Sequence, residues 1–371
     1  MQISKISLKN NPDLEFIADF LKPYTKRAYL VGGSVRDLLL GLKLYDYDIE
    51  LYDIKANDFE KLMQKLGAQG FGKSFFVYKF KNYDLALARV ENKIAPGHKG
   101  FEVALCDDEK LGAKRRDFTI NSMMINLFNE EFLDFYGGLE DLKAGFLRHI
   151  DKQSFKEDSL RILRAVVFAS RFDFKIAEQS LVLMKNMDIK ELSHDRINAE
   201  LYKFFKSPRL DVGYSYLQEL GLEEEILGFE SAFKSMEFQS LLRHSREVVK
   251  DDALFLYLYL NFFNLDKDMF FKKTKLKKEY LKKANQMFYF DEVSDFELAN
   301  IAFEMPLKEW LGLWSKKRIE QAKRLKLYGT KFESKISPKA FMDKGFFGKA
   351  LGLELQKARQ RELKKYLKNL K

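Results

Sequence analysis

An α+β fold is predicted for this chain, with a mixed α/β head followed by an all-helical remainder. Three observations predict it. Up to about Leu142, segments of strand-like alternation are interleaved with segments of helical periodicity. From Phe155 to the end the apolar spacing is helical throughout. Gly and Pro are scarce, 20 and 6 in 371 residues, so no stretch reads as low-complexity and helices can run unbroken.

The elements follow in order. Ala28–Val31 is a short apolar strand, and Val35–Leu40 has helical spacing. Asp48–Tyr52 alternates, Asp58–Leu66 is helical, and Phe75–Phe80, Tyr83–Arg89 and Phe101–Leu105 alternate again. Arg89 and His98 flank a loop, Ile94 to Phe101, that could close over a reaction. Beyond Leu142 the strands stop. Ser154 and Glu157 have the S-x-x-E spacing of a capping box, so a helix should begin there. Breaks between later helices fall near Ser193, Ser207-Pro208, Gly228, Pro306 and Ser337-Pro338.

A chain of 371 residues with 46% hydrophobic residues builds a substantial core and is long for a single one, so two or more domains are expected. The net charge of +10, with a sequence pI near 9.2, favours a polyanionic partner, most simply nucleic acid; surplus lysine that only aids solubility is the plainer reading. The single Cys106 excludes an intrachain disulfide and a thiolate metal site, and it fits a reducing cytoplasm. Met1 to Asn11 has no signal-peptide core. The longest apolar run, near Leu254–Phe263, is too short to cross a bilayer, so no membrane is expected. His98, His149, His194 and His244 lie apart, without zinc-site spacing. Positive charge gathers in two stretches. One holds Lys272, Lys273, Lys275, Lys277, Lys278, Lys282 and Lys283; the other holds Lys357, Arg359, Arg361, Lys364, Lys365, Lys368 and Lys371. Solvated helix faces explain such runs, and so does a grip on a phosphate backbone.

Candidate chemistry sits in Leu30–Glu50, L-V-G-G-S-V-R-D-L-L-L-G-L-K-L-Y-D-Y-D-I-E. Gly32 and Gly33 close a strand and open a helix, Ser34 is placed to cap that helix, and Gly41 to end it. Glycines let a triphosphate approach the backbone, and the helix start offers free N–H groups. Arg36, in the first turn, is placed to reach a phosphate oxygen. Asp46 and Asp48 are two apart, so their carboxylates share one face of a strand while Ile49 and Leu51 point into the core. Two close carboxylates repel unless a cation lies between them, and Mg²⁺ is the usual hard divalent ion beside nucleotides. Two such ions can activate a 3′-hydroxyl and stabilise departing pyrophosphate. Glu50 and Asp84 are further acids that could face the same ions, or simply solvated strand carboxylates.

The stretch L-V-G-G-S-V-R-D…D-Y-D-I-E resembles the signature of the class II tRNA nucleotidyltransferase and bacterial poly(A) polymerase family. Four more motifs follow in that family's order: R-R-D-F-T-I-N from Arg115 to Asn121, D-F-Y-G-G-L-E-D-L from Asp134, E-D-S-L-R-I-L-R from Glu157, and S-H-D-R-I-N-A-E-L-Y-K from Ser193. The resemblance implies a polymerase beta-like nucleotidyltransferase head at 1–142, a helical neck at 143–206, a helical body at 207–325 and a tRNA-binding tail at 326–371. It implies that Asp46 and Asp48 hold the catalytic Mg²⁺ ions, and that Gly32, Gly33 and Arg36 contact the triphosphate. Arg115 and Asp117 would lie near the ribose, Asn121 would also bind the nucleotide, Asp158 and Arg161 would read the incoming base, and Arg164 would lie along the triphosphate. Spacing agrees in part, since Asp158, Arg161 and Arg164 are three apart; a surface i, i+3 ion pair has the same spacing. The family usually has Pro where Ser159 stands, and the His-Asp pair of an appended phosphohydrolase is missing near Asp251–Asn261, so no such activity is expected. The implied activity is addition of CCA to the tRNA 3′ end from CTP and ATP. Poly(A) synthesis, or addition of CC or A alone, shares every one of these motifs, and a non-catalytic RNA-binding protein is the distant alternative.

Overall fold

The computed structural model describes residues 11–71, 76–93, 101–231 and 234–370. The chain forms two compact units, Met1–Ile197 and Asn198–Lys371.

The first unit is built on a seven-stranded mixed sheet. Its strands are β1 (Ala28–Val31), β2 (Tyr47–Leu51), β3 (Gln69–Phe71), β4 (Val77–Phe80), β5 (Tyr83–Leu87), β8 (Met124–Asn126) and β9 (Phe132–Leu133), in the order β3-β4-β5-β2-β1-β8-β9. Only β2 and β5 run parallel; the other neighbours are antiparallel. β6 (Arg89–Lys93) and β7 (Phe101–Leu105) make a separate ribbon. The sheet is anchored by β1, whose four residues are all buried, as apolar runs in central strands are. Ile49 and Leu51 of β2 are buried, and Tyr47 stacks on its β5 partner Tyr83 at 4.7 Å. Helices α1 (Pro12–Leu21), α2 (Gly33–Leu39), α3 (Ala56–Leu66), α4 (Glu109–Lys114) and α5 (Gly138–Ala144) complete the head. The alternation near Phe75 lies partly outside the described residues, as do His98 and the loop from Ile94 to Gly100.

Three expectations are corrected. Strands do not end at Leu142, because β10 (Phe146–Leu147) pairs in parallel with β11 (Lys175–Ile176). The capping box at Ser154 and Glu157 does not form. Asp151 caps the short α6 (Lys152–Lys156) by accepting from the Ser154 N–H, and the long α7 (Leu160–Phe172) begins only at Leu160. An aspartate three residues upstream of Ser154 thus takes the cap. Ser34 does not cap α2 either; the cap position is Gly32, and Ser34 lies one turn-position inside, buried. α8 (Glu178–Lys185) and α9 (His194–Lys206) follow, α9 continuing into the second unit.

The second unit is helical. Phe204, Tyr214, Phe238, Phe255 and Tyr259 form an aromatic core, and Trp310, Leu298, Leu307, Ala322 and Leu363 centre another. The helix Leu254–Phe262 is buried almost throughout, and among the described residues no helix is long and apolar enough to cross a membrane. Lys272, Lys273, Lys275, Lys277 and Lys278 are all exposed, while the intervening Phe271, Thr274, Leu276 and Tyr280 are buried. Arg359, Arg361 and Lys364 are exposed on the helix Gly348–Asn369.

Candidate active site

The two aspartates stand where β2 leaves the loop after α2. Asp48 lies on the strand face opposite the buried Ile49, as period-two alternation requires. Asp46 sits just before the strand, and the Lys79 ammonium lies 3.7 Å from its Oδ1 and 3.4 Å from Asp84 Oδ1. Asp84 is the register partner of Asp48, so one cation joins Asp46 to the Asp48 side of the sheet. The glycine turn is beside them. Gly32 has φ +67°, and a Cβ there would lie 3.7 Å from Asp48 Oδ2 and 2.7 Å from Arg116 Nη1. Any other residue would be strained and would push into this space. Gly33 starts α2, where an added Cβ would meet the Arg36 guanidinium at 3.3 Å.

Ser34 ties the glycine turn to the aspartates. Its hydroxyl donates to the Asp46 carbonyl at 3.3 Å and accepts from the Asp48 N–H at 2.9 Å. Backbone on both sides of Tyr47 is thereby pinned to α2. The crowding has an electrostatic consequence. Burial, reinforced by Asp84 and Asp46 and opposed by Arg116, raises the Asp48 carboxyl above its ordinary value. Nearby positive charge would relieve this. The donor set suits a hard divalent cation, because two carboxylates leave coordination positions for phosphate and water oxygens. Among the described residues, no group of three or more His, Cys, Asp or Glu is close enough to hold a metal unaided.

Glu50 continues the same face but is 1% exposed, and it is not a metal ligand in this arrangement. Its carboxylate accepts from Tyr52 Oη at 2.8 Å, Arg115 Nη2 at 2.7 Å and Arg116 Nη2 at 3.1 Å. Burial works against its charge, but Arg116 and Arg115 outweigh burial and hold it below the usual value. Glu50 therefore fixes the two arginines beside the glycine turn. Among the described residues, Arg116 Nε is buried without a hydrogen-bond partner.

Behind this wall runs a second network. Asp117 is buried and accepts from the Phe118 N–H and Asn121 Nδ2, each at 2.8 Å, and from Arg164 Nε at 2.7 Å. Burial opposes its ionisation; Arg164 and Asn121 prevail and lower its carboxyl. Asn121 Oδ1 accepts from Arg36 Nη1 at 2.6 Å. Arg36 is 4% exposed, bonded to Asp37, with its guanidinium over the rings of Phe168 and Phe172 at 5.0 and 4.8 Å. The structure thus turns Arg36 inward, as a brace between α2 and α7, rather than outward toward a phosphate.

Asp158 and Arg161 are not an ion pair. Asp158 precedes α7, caps the Leu160 N–H at 3.1 Å, and accepts with both oxygens from Arg196 Nη2 at 3.0 Å. Arg161 donates to the Ser154 carbonyl at 2.9 Å and the Arg115 carbonyl at 2.6 Å. The one-face placement of Asp158, Arg161 and Arg164 therefore fails at Asp158, which is off the helix. All of Asp46, Asp48, Gly32, Gly33, Arg115, Asp117, Asn121, Asp158, Arg161 and Arg164 nonetheless lie in one unit. The lysines and arginines of the two basic runs lie in the other.

Sequence reasoning missed Arg116, Lys79, Arg196 and the true role of Ser34. Arg116 and Arg196 stood inside recognised motifs without a role. Lys79 was findable: a two-residue turn at Lys81-Asn82 sets Phe80 opposite Tyr83, and hence Lys79 opposite Asp84.

Known proteins resemble this chain in sequence over the head and in fold over most of its length. Residues 28–148 match the family described as the poly A polymerase head domain. A "Multifunctional CCA protein" of Nitrosospira multiformis is 39% identical over 183 residues, covering 47% of this chain and 43% of that protein. One of Chromobacterium violaceum is 39% identical over 211 residues, 54% of this chain and 49% of that protein. The chain thus spans about half the length of the curated relatives it matches. Among solved structures, the Thermotoga maritima CCA-adding enzyme complexed with tRNA shares the fold, with TM-score 0.66 and 23% identity, covering 100% of this chain and 98% of that one. Residues 28–148, which carry the paired aspartates and their glycine turn, thus match a poly A polymerase head domain, and the chain is similar in sequence to multifunctional CCA proteins and in fold to CCA-adding enzymes.

Proposed function

We propose that this protein is a template-independent RNA nucleotidyltransferase that completes tRNA 3′ ends with C, C and A from CTP and ATP. The observation that carries the proposal is the meeting of Asp48 Oδ2 and Arg116 Nη1 at the Gly32 turn, 3.7 and 2.7 Å from where a Cβ would stand, with Asp46 tied to Asp48 through Ser34. In each addition the 3′-hydroxyl oxygen bonds to the α-phosphorus, the bond to the β-phosphate bridge breaks, pyrophosphate leaves, and the hydroxyl proton passes to solvent. Asp46 and Asp48 would hold Mg²⁺, which when bound lowers the hydroxyl pKa and neutralises the leaving group. Ser34 keeps the two carboxylates in register. Gly32 admits the triphosphate, and Arg116, with Arg115 and Arg164, supplies positive charge along it.

Asp158 and Arg161 would read the base edge by accepting and donating hydrogen bonds. Each now has an internal partner, so reading a base means exchanging Arg196 or a backbone carbonyl for the nucleotide. Lys272, Lys273, Lys275, Lys277 and Lys278, with Arg359, Arg361 and Lys364, would meet the tRNA backbone. A head at 1–142, neck at 143–206, body at 207–325 and tail at 326–371 is the division of labour this implies, in a protein of the cytoplasm. Support comes from the multifunctional CCA proteins that the chain resembles in sequence and from the CCA-adding enzymes whose fold it shares.

The test is incorporation into tRNA lacking its 3′ end, with Mg²⁺ and with CTP and ATP singly and together. Three added residues are expected; a long A tract would make the protein a poly(A) polymerase, and no incorporation would leave RNA binding alone. Asp46→Ala should abolish incorporation and leave tRNA retention in a gel-shift assay largely unchanged.

A further inference from the structure

One charge on the carboxylate face has no part in that scheme. Lys79 lies on β4 with register partner Asp84, and Asp84 in turn is the partner of Asp48. The row Lys79, Asp84, Asp48 therefore crosses three strands with every side chain on one face. Asp48 and Asp84 are like charges directly opposite, an unfavourable pairing. The Lys79 ammonium, 38% exposed, extends past its own partner to reach Asp46 as well, at 3.7 Å. It stands on the same carboxylate that a divalent ion would use.

A divalent cation on Asp46 and an ammonium within 4 Å of the same oxygen repel each other. We propose that Lys79 competes with the divalent cation for Asp46, holding the carboxylate face against free metal and yielding when metal arrives with a nucleoside triphosphate. The inference rests on the reading of Asp46 and Asp48 as the cation-holding pair. The triphosphate supplies both the extra metal ligands and a new anionic partner for the displaced ammonium. Displacement of the ammonium then adds to the coupling that the shared metal already creates between cation and nucleotide.

The test is Mn²⁺ titration of the full chain, read by electron paramagnetic resonance, with and without CTP. Lys79→Met should tighten Mn²⁺ binding without nucleotide, on the order of tenfold or more. Lys79→Arg, which keeps the charge, should bind as the unaltered protein does. With CTP present the difference between Lys79→Met and the unaltered protein should shrink. Asp46→Asn should remove the site from every form. If Lys79→Met binds Mn²⁺ no more tightly while Asp46→Asn still removes the site, the competition is overturned and the cation pair stands. If no form shows an Asp46-dependent site even with CTP, both are overturned.

Discussion

Glu50 and Asp117 are carboxylates buried among arginines, and their energetics differ from those of Asp48. Glu50→Gln would leave Arg115 and Arg116 without their anion, at a cost of about 3 kcal/mol in denaturant unfolding. No loss of stability would contradict the bracing role. Both carboxyls are held below their ordinary values, so the folded head binds fewer protons than the unfolded chain. Their stabilisation is complete above the unfolded carboxylate range, about pH 4, and disappears as pH falls through the lower folded values. Acid unfolding of the unaltered protein should therefore set in below about pH 4, and Asp117→Asn should flatten that dependence. Asp48 is the reverse case, because its raised carboxyl means the charged form is disfavoured in the fold. Asp48→Asn should raise the metal-free melting temperature by about 1–2 °C while eliminating catalysis, a conflict common where function needs crowded charge.

At the scale of elements, the α2–β2 corner decides whether the carboxylates are aimed. Ser34→Ala would leave the partly buried Asp48 N–H without its partner and cost about 1 kcal/mol. As a positioning residue it should lower kcat by about tenfold while KM for CTP changes little; an equal change in both would make the contact merely structural. Gly32→Ala should cost about 1–3 kcal/mol for its backbone conformation alone. Much of this corner was legible. Period-two alternation placed Asp48 and Ile49 on opposite faces, and the Gly32–Gly33 pair and Gly41 marked the limits of α2 correctly. The helix breaks at Ser193, Ser207-Pro208, Gly228, Pro306 and Ser337-Pro338 also fall between observed helices. What was not legible depends on contacts distant in sequence. Spacing cannot tell that Arg36 lies beneath Phe168 and Phe172, 132 and more residues away, or that Asp158 pairs with Arg196 across 38 positions. The capping box at Ser154 lost to Asp151 because two local caps competed and spacing alone does not rank them.

For the whole molecule, charge is the dominant long-range property. A net +10, with the exposed lysines of 272–278 and the basic face of the last helix, predicts RNA binding that weakens steeply with salt. Raising salt from about 50 to 200 mM should lower tRNA affinity at least tenfold, and Lys272→Ala with Lys273→Ala should reduce the slope by about one unit or more. A salt-independent affinity would remove these runs from the RNA interface. The central claim remains local, that Asp46 and Asp48 grip a divalent ion at the Gly32 turn. Anomalous diffraction from crystals grown with Mn²⁺ and a non-hydrolysable CTP analogue tests it most directly. The account predicts a manganese peak within coordination distance of both carboxylates and of the analogue's phosphates beside Gly32; a bound nucleotide whose metal lies away from Asp46 and Asp48 would contradict it.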